Sequence, residues 1–517
     1  MNRCTTLPEL LSAGADDAPA IGAPGAPVLS HRDLRGLIIR TVAALNRFGV
    51  GRNDRVAMVL GNALEAGTAF LGVACGATAA PLNPGYRIDE FAFNLTDLGA
   101  KALVVEAGGD TPAIGVAMRL GLAVIDLTPT PLRGAGTFEL SLRIPSAAAG
   151  KPPLCLPSGG FAQSDDVALI LHTSGSTARP KLVALTQKNV AVSAGNVRAA
   201  LQFTPQDRGL NIMPLFHIHG LIAGLLAPLS AGSSVFCPPS FNALKFFGWM
   251  SEARPNWYTA VPTMHQTILA RASHNKEIIA ANPLRFIRSS SSSIPPQVIR
   301  ELEQVFHAPL IEAYGMTEAA HQMCSNPLPP RARKPGTVGV AAGPEVAIMD
   351  DQGRILPPNS TGEIVIRGAN VIAGYENNPA ANAENFIDDW FRTGDQGIID
   401  AEGYVSITGR LKEIINRGSE KFSPREVDEV LMDHAAVSQV VTFAFPHQKL
   451  GEEVGAVVVL RQNMVATERD LREFAGLHLA DFKVPKKILF MAELPKGPTG
   501  KPLRIGLAQK LGLGMTS

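Results

Sequence analysis

Between residues 173 and 181 the chain gathers four hydroxyls (Thr173, Ser174, Ser176, Thr177), one glycine (Gly175) and one lysine (Lys181). This cluster directly follows the apolar run Ala168-Leu-Ile-Leu-His172. Hydroxyl and backbone N–H donors suit phosphate oxygens, a glycine permits close backbone approach, and a lysine adds a point charge. The lysine follows a proline, so the segment is not the G-x-x-x-x-G-K-[ST] loop. Standing alone it reads equally well as a polar surface turn. Other chemistry-bearing residues are scattered far downstream: Thr317-Glu318, Asp395 after a Thr-Gly pair, Arg410, and Lys501 near the other end of the chain. Taken singly, such residues are ordinarily a helix cap, a turn and solvated charges. Only their order and spacing can give them a joint meaning.

The elements that must position them are legible from apolar periodicity. At 517 residues the chain exceeds one compact core, so a large domain with a smaller one is expected. Short buried strands are predicted at Arg55–Leu60, Lys101–Glu106 and Ala168–His172, with helices at Glu65–Gly76 and Pro296–Phe306. Such alternation implies layered α/β structure with buried sheets. After about residue 345, shorter strands broken by turn residues predict a small β-rich subdomain. Charged helices alternate with strands beyond Arg410, so we place a boundary there. Residues 1–409 are expected to form the N-terminal domain and residues 410–517 a mobile α+β C-terminal domain. Between Arg208 and Lys245 no Asp, Glu, Lys or Arg occurs, but Pro214, Gly220, Gly224, Pro228, Gly232, Pro238 and Pro239 interrupt the run. That pattern predicts a buried core helix flanked by strands and no membrane span.

Composition narrows the function classes. Lys+Arg 47 against Asp+Glu 46 leaves a net charge of +1, which excludes a whole-molecule field for nucleic acid. Five scattered cysteines without a C-x-x-C pair argue against a disulfide framework or zinc site and fit a reducing, cytoplasmic setting. The N-terminus shows no secretory h-region, and the last residues are not Ser-Lys-Leu.

Six segments stand in a telling order: Thr173-Ser-Gly-Ser-Thr177 with Pro180-Lys181; Tyr314-Gly-Met-Thr-Glu318; Tyr375; Trp390-Phe-Arg-Thr-Gly-Asp395; Gly409-Arg-Leu-Lys412; and Pro495-Lys-Gly-Pro-Thr-Gly-Lys501. Across essentially the whole chain this resembles the adenylate-forming superfamily of acyl-CoA synthetases, luciferase and peptide-synthetase adenylation domains. The resemblance implies ATP, Mg²⁺ and coenzyme A as reactants and cofactor. Residues 173–177 and Lys181 would hold the β- and γ-phosphates, Thr317 the α-phosphate, and Glu318 the Mg²⁺. Ser290, Ser291 and Ser292 would lie along the adenine, with Tyr314 stacked on it. Asp395 would take the ribose hydroxyls, and Arg410 would add donors. Lys501 would be the catalytic lysine, delivered to the reacting carboxylate and α-phosphate. Lys412 would be the hinge, and Gly418 would lie on the face presented for thiol entry. The chain departs from the family pattern at Ala178, Leu182 and Ser419.

Within that superfamily the stretches Pro214-Leu-Phe-His-Ile-His-Gly-Leu, Trp257–His265, Leu284-Arg-Phe-Ile-Arg-Ser289 and Thr317-Glu-Ala-Ala-His321 resemble oxalate–CoA ligases. The implied acid site has His217 at its gate and His219, His321, Ser291 and Ser293 as donors for a small dicarboxylate, where a long acid would need an apolar tunnel. The alternatives are a CoA ligase for an aryl or short branched acid and a stand-alone adenylation enzyme that loads a carrier protein. No fused carrier domain is expected, since only 16 residues follow Lys501. Both monomer and homodimer are open.

Overall fold

Runs such as Arg55-Val-Ala-Met-Val and Ala102-Leu-Val-Val-Glu have no polar alternation, so their strands must be covered on both faces. The computed structural model, which describes residues 4–61, 64–146, 158–173, 180–418, 420–496 and 502–513, shows how. A seven-stranded sheet runs Phe138–Ile144, Ala123–Pro129, Ala102–Glu106, Arg55–Val59, Thr78–Pro81, Val167–Thr173, Lys181–Thr186. Its interior pairs are parallel and its two edge strands antiparallel. A nine-stranded sheet places Arg208–Asn211, Trp257–Ala260, Phe286–Ser289 and Leu310–Met316 side by side in parallel, continued by the antiparallel strand His321–Ser325.

One apolar core joins the two sheets, with Val56, Ala79 and Leu169 from one and Val235, Trp257 and Phe286 from the other. The helix Gln187–Ala200 touches both sheets, and Thr186 fixes its start by accepting a hydrogen bond from the Asn189 backbone. The helix Leu64–Ala74 is buried almost all round, as an apolar helix in a layered core must be. Pro296–Phe306 instead buries one stripe, Val298, Ile299, Leu302 and Phe306.

The predicted strands and helices appear within a residue or two, for example Val167–Thr173, Leu64–Ala74 and Pro296–Phe306. The uncharged stretch is the expected buried helix between strands, with the helix His219–Leu226 wound as a π-helix. It is built as the strand Arg208–Asn211, a π-helical turn His219–Leu226, a three-residue helix Ala227–Leu229 and the strand Ser234–Phe236. No helix among the described residues is long and apolar enough to cross a membrane.

A third sheet contains Glu345–Met349, Thr361–Arg367, Trp390–Ile399, Phe386–Ile387 and Val405–Arg410. A fourth contains Ile415–Arg417, Glu420–Phe422, Val437–His447, Gly451–Leu460 and Lys487–Phe490. Helices Pro424–Met432 and Glu468–His478 pack on that last sheet through Val427, Leu431, Leu471 and Ala475, forming a core separate from the one upstream.

Candidate active site

The hydroxyl-rich segment connects two antiparallel strands, not a strand to a helix. Val167–Thr173 pairs with Lys181–Thr186, and Thr173 faces Lys181 across the hairpin. Ser174, Gly175, Ser176 and Thr177 lie outside the described residues, as do Ala178, Ser419 and Lys501. At the hairpin's base the Lys181 ammonium sits 4.5 Å from the centre of the Tyr375 ring. Burial pulls its pKa down, while Glu384 and Glu318 act to keep it charged.

Tyr375 links that lysine to the second cluster. Its hydroxyl donates to Glu318 Oε1 at 2.9 Å. Asn382 clamps its backbone from both sides, accepting from Tyr375 N at 2.7 Å and donating to Tyr375 O at 2.9 Å. Thr317 and Glu318 begin a short 3₁₀ turn, Thr317–Ala319, at the end of the strand Leu310–Met316. Glu318 is buried, and desolvation raises its carboxyl above the ordinary range. No group of three or more His, Cys, Asp or Glu among the described residues could hold a metal alone. A single carboxylate fits Mg²⁺, which habitually takes one or two carboxylates together with substrate phosphates and water.

Asp395 and Arg410 are register partners on neighbouring antiparallel strands, and their side chains meet at 3.2 Å. The other Asp395 oxygen accepts the hydroxyl of Tyr314, so the expected ribose ligand and adenine platform touch each other directly. Gly394 holds φ +73°, a turn that lets Asp395 N reach the Thr393 hydroxyl at 3.1 Å. Lys412 lies in the turn Leu411–Glu413, 3.6 Å from Glu384. Gly418 (φ +68°) lies in the turn that follows the strand Ile415–Arg417 of the fourth sheet, and its N–H donates to Leu450 O at 2.8 Å.

The third cluster is assembled by sheet register. Asn211, Thr259 and Arg288 stand abreast on three adjacent parallel strands, so their side chains share one face. Above that face runs the π-helical turn, a wide geometry common at functional sites. Asn211 stabilises the turn by donating to Gly220 O at 3.1 Å. A Cβ on Gly224 would come within 2.4 Å of the Asn211 amide, so this close approach requires glycine.

The turn delivers His219 to Thr259 Oγ1 (2.7 Å) and Ser291 Oγ (3.1 Å). The Arg288 guanidinium reaches His219 Nε2 at 3.1 Å and His321 Nε2 at 3.0 Å, and the two imidazoles stack with centres 5.1 Å apart. Arg288 is 0 % exposed; its other neighbours are the uncharged acceptors Thr259 Oγ1 at 3.5 Å and Gln322 Oε1 at 3.4 Å, and among the described residues no carboxylate pairs with it. Burial pushes its pKa down to about 9, which still leaves it cationic at neutral pH. Burial, then the Arg288 charge, lowers both histidines well below their ordinary range. Ser291 (φ 75°) and His321 (φ 104°) hold backbone conformations that side chains rarely adopt, a cost that accumulates at working sites.

Of the acid-site residues expected from sequence, the structure brings together His219, His321 and Ser291. His217 is half-buried beside them, its Nδ1 accepting from His219 N at 3.3 Å. Ser292 and Ser293 are exposed, while Ser290 is buried with its hydroxyl unpartnered. The residue that sequence reasoning missed is Arg288. The available signal was a lone charge inside the strand Phe286–Ser289, within a sheet covered on both faces.

The AMP-binding enzyme family model matches residues 12–376, and the model of the AMP-binding enzyme C-terminal domain matches residues 426–501. The chain is 43% identical over 498 residues to an oxalate–CoA ligase of Arabidopsis thaliana, covering 95% of each chain. It is 42% identical over 480 residues to an oxalate–CoA ligase of Saccharomyces cerevisiae, covering 89% of this chain and 87% of that one. Its fold superposes on the ATP-bound crystal structure of MatB from Rhodopseudomonas palustris with a TM-score of 0.86, at 29% identity and 98% coverage of both.

Proposed function

The chain belongs to the AMP-binding enzyme family, and from that premise we propose that it is an ATP-dependent acid–CoA ligase whose acid is a small dicarboxylate, oxalate foremost. The observation that carries the choice of acid is Arg288: a fully buried cation without a counter-ion among the described residues, flanked by two histidines, one of which also meets Ser291. Burying an unpaired charge costs several kcal/mol, so its natural complement is a ligand anion. Oxalate has one carboxylate that must attack phosphorus and a second that stays anionic throughout. An acid with an apolar tail would leave the guanidinium uncompensated, which disfavours fatty, aryl and branched acids alike.

A carboxylate is a poor electrophile, so the first half-reaction makes an acyl-adenylate and releases pyrophosphate. The second lets the CoA thiolate attack that anhydride with AMP leaving. In our reading residues 173–177 and Lys181 grip the β- and γ-phosphates, and Thr317 takes the α-phosphate. Tyr314 and the Ser290–Ser292 segment receive adenine, and Asp395 with Arg410 receives the ribose. Glu318 would hold Mg²⁺, which neutralises phosphate charge when bound. Lys501 supplies mobile positive charge as negative charge grows between carboxylate and α-phosphate. His217 gates the acid site.

We assign residues 1–409 and 410–517 as the two domains, with Lys412 as hinge and Gly418 on the face that meets the thiol. The separate core around Val427 and Leu431 favours a C-terminal unit that moves as a body. The buried free thiols Cys75, Cys237 and Cys324 favour a reducing compartment, and we assign the cytoplasm.

The test is pyrophosphate release across a panel of acids with and without CoA. Saturable turnover on oxalate that requires CoA supports the reading. Turnover confined to aryl or branched acids overturns the acid, and a requirement for a carrier protein in place of CoA overturns the thiol.

A further inference from the structure

Arg288 has a second consequence that depends only on hydrogen-bond direction. A guanidinium donates through every nitrogen and accepts through none. Its Nη1 faces Nε2 of His219 at 3.1 Å and its Nη2 faces Nε2 of His321 at 3.0 Å. A ring nitrogen that meets a donor must carry its lone pair there, so in each ring the proton is displaced to Nδ1. The Thr259 hydroxyl, 2.7 Å from the same His219 nitrogen, then also donates to that lone pair, and the Nδ1–H of His219 points at Ser291 Oγ, 3.1 Å away. For Nδ1 of His321 no acceptor is found among the described residues, so this N–H is left for a ligand.

We propose that Arg288 is a positioning residue as well as an anchor: it fixes His219 and His321 as Nδ1–H tautomers, and the anion site is therefore one permanent cation with two uncharged imidazole donors. Stacking supports this, since two imidazolium rings with centres 5.1 Å apart and planes within 19° would repel. So does burial: both rings are nearly or fully inaccessible to water. The titratable groups that bear on His219 are Arg288, His321, His217 and His265, and those on His321 are Arg288 and His217. All of these are basic, so each disfavours a proton on the second ring nitrogen.

This arrangement rests on the dicarboxylate reading only for its purpose, not for its existence. An anion held this way loses little affinity as histidines titrate, because the rings never carry the charge. The side chain of asparagine places an N–H close to the position of imidazole Nδ1, whereas glutamine mimics Nε2.

The experiment is nitrogen NMR of the ligand-free protein labelled at histidine, with signals assigned through His219→Gln and His321→Asn. At pH 7 the Nε2 signals of both rings are expected to be pyridine-like and the Nδ1 signals pyrrole-like. In Arg288→Met the His321 Nε2 signal should lose its pyridine character, and Arg288→Lys, which again offers only donors, should restore it. With acid present, His321→Asn should hold KM for the acid at least tenfold lower than His321→Gln, at similar KM for ATP. A pyrrole-like Nε2 on either wild-type ring, or protons on both nitrogens, overturns the proposal. The spectra need no acid, so failure of oxalate as substrate with the expected tautomers would remove the acid assignment alone.

Discussion

Replacing Arg288 with methionine separates what this residue does for the acid from what it does for the fold. The side chain is 0 % exposed, is bonded to His219 and His321, and has no carboxylate partner among the described residues. Its Nε has no hydrogen-bond partner either. If a ligand carboxylate completes this site, removing the guanidinium strands that anion in a water-excluded pocket. Breaking a buried charge pair from one side costs about 3–5 kcal/mol. At about 1.4 kcal/mol per decade, kcat/KM for oxalate should fall roughly a hundred- to several-thousand-fold.

The same change should not weaken the ligand-free fold comparably, because an uncompensated buried cation is itself a burden, and methionine fills similar volume. The assay is steady-state pyrophosphate release with oxalate and with acetate, alongside thermal melting and the KM for ATP. Oxalate activity should collapse, acetate turnover should hold or rise, and KM for ATP and the melting temperature should change little. Oxalate kcat/KM within threefold of wild type in a folded variant would refute the placement of the acid's second carboxylate at Arg288.

Other expectations follow from the remaining clusters. Lys501→Ala should slow adenylate formation by at least about a hundredfold, the scale of one preorganised electrostatic contact, while a supplied acyl-adenylate still reacts with CoA; equal loss in both half-reactions would show that the lysine does not act in the first alone. Tyr375→Phe removes the hydrogen bond to Glu318 but keeps the ring beneath Lys181, so the Mg²⁺ concentration for half-maximal rate should rise about fivefold with KM for the acid unchanged. Glu312 is buried, and desolvation pushes its carboxyl up to about 8. A raised carboxyl favours the fold below its ordinary pKa of 4.5 and loses that contribution as pH climbs toward about 8. Glu312→Gln should therefore match wild type near pH 4 and exceed it at pH 9 by on the order of 5 kcal/mol, read from denaturant melts across pH.

What the sequence disclosed divides along a physical line. Thr317 and Glu318 are adjacent, and Asp395 follows a Thr-Gly turn whose conformation is local. Such groups announce themselves because backbone geometry over a few residues fixes their orientation. The layered fold was legible for a similar reason, since unbroken apolar runs require covered sheets.

The proposed acid site depends on register between distant strands. Nothing local says that Asn211, Thr259 and Arg288 stand abreast, yet parallel pairing makes them neighbours. A buried helix was expected over this run, but its π winding was hidden, because nothing local shows that Asn211 braces the backbone at Gly220. Ser293, plausible by proximity to Ser291 in sequence, is exposed, since the chain turns outward after the positive-φ serine.

Incubating the purified protein with ATP, Mg²⁺, CoA and oxalate and identifying the products by mass spectrometry tests the oxalate–CoA ligase reading itself. Oxalyl-CoA and AMP are expected in equal amounts, with no thioester when ATP is omitted and little from a long-chain acid. Release of ADP in place of AMP, or thioester from long-chain or aryl acids but not from oxalate, would contradict it.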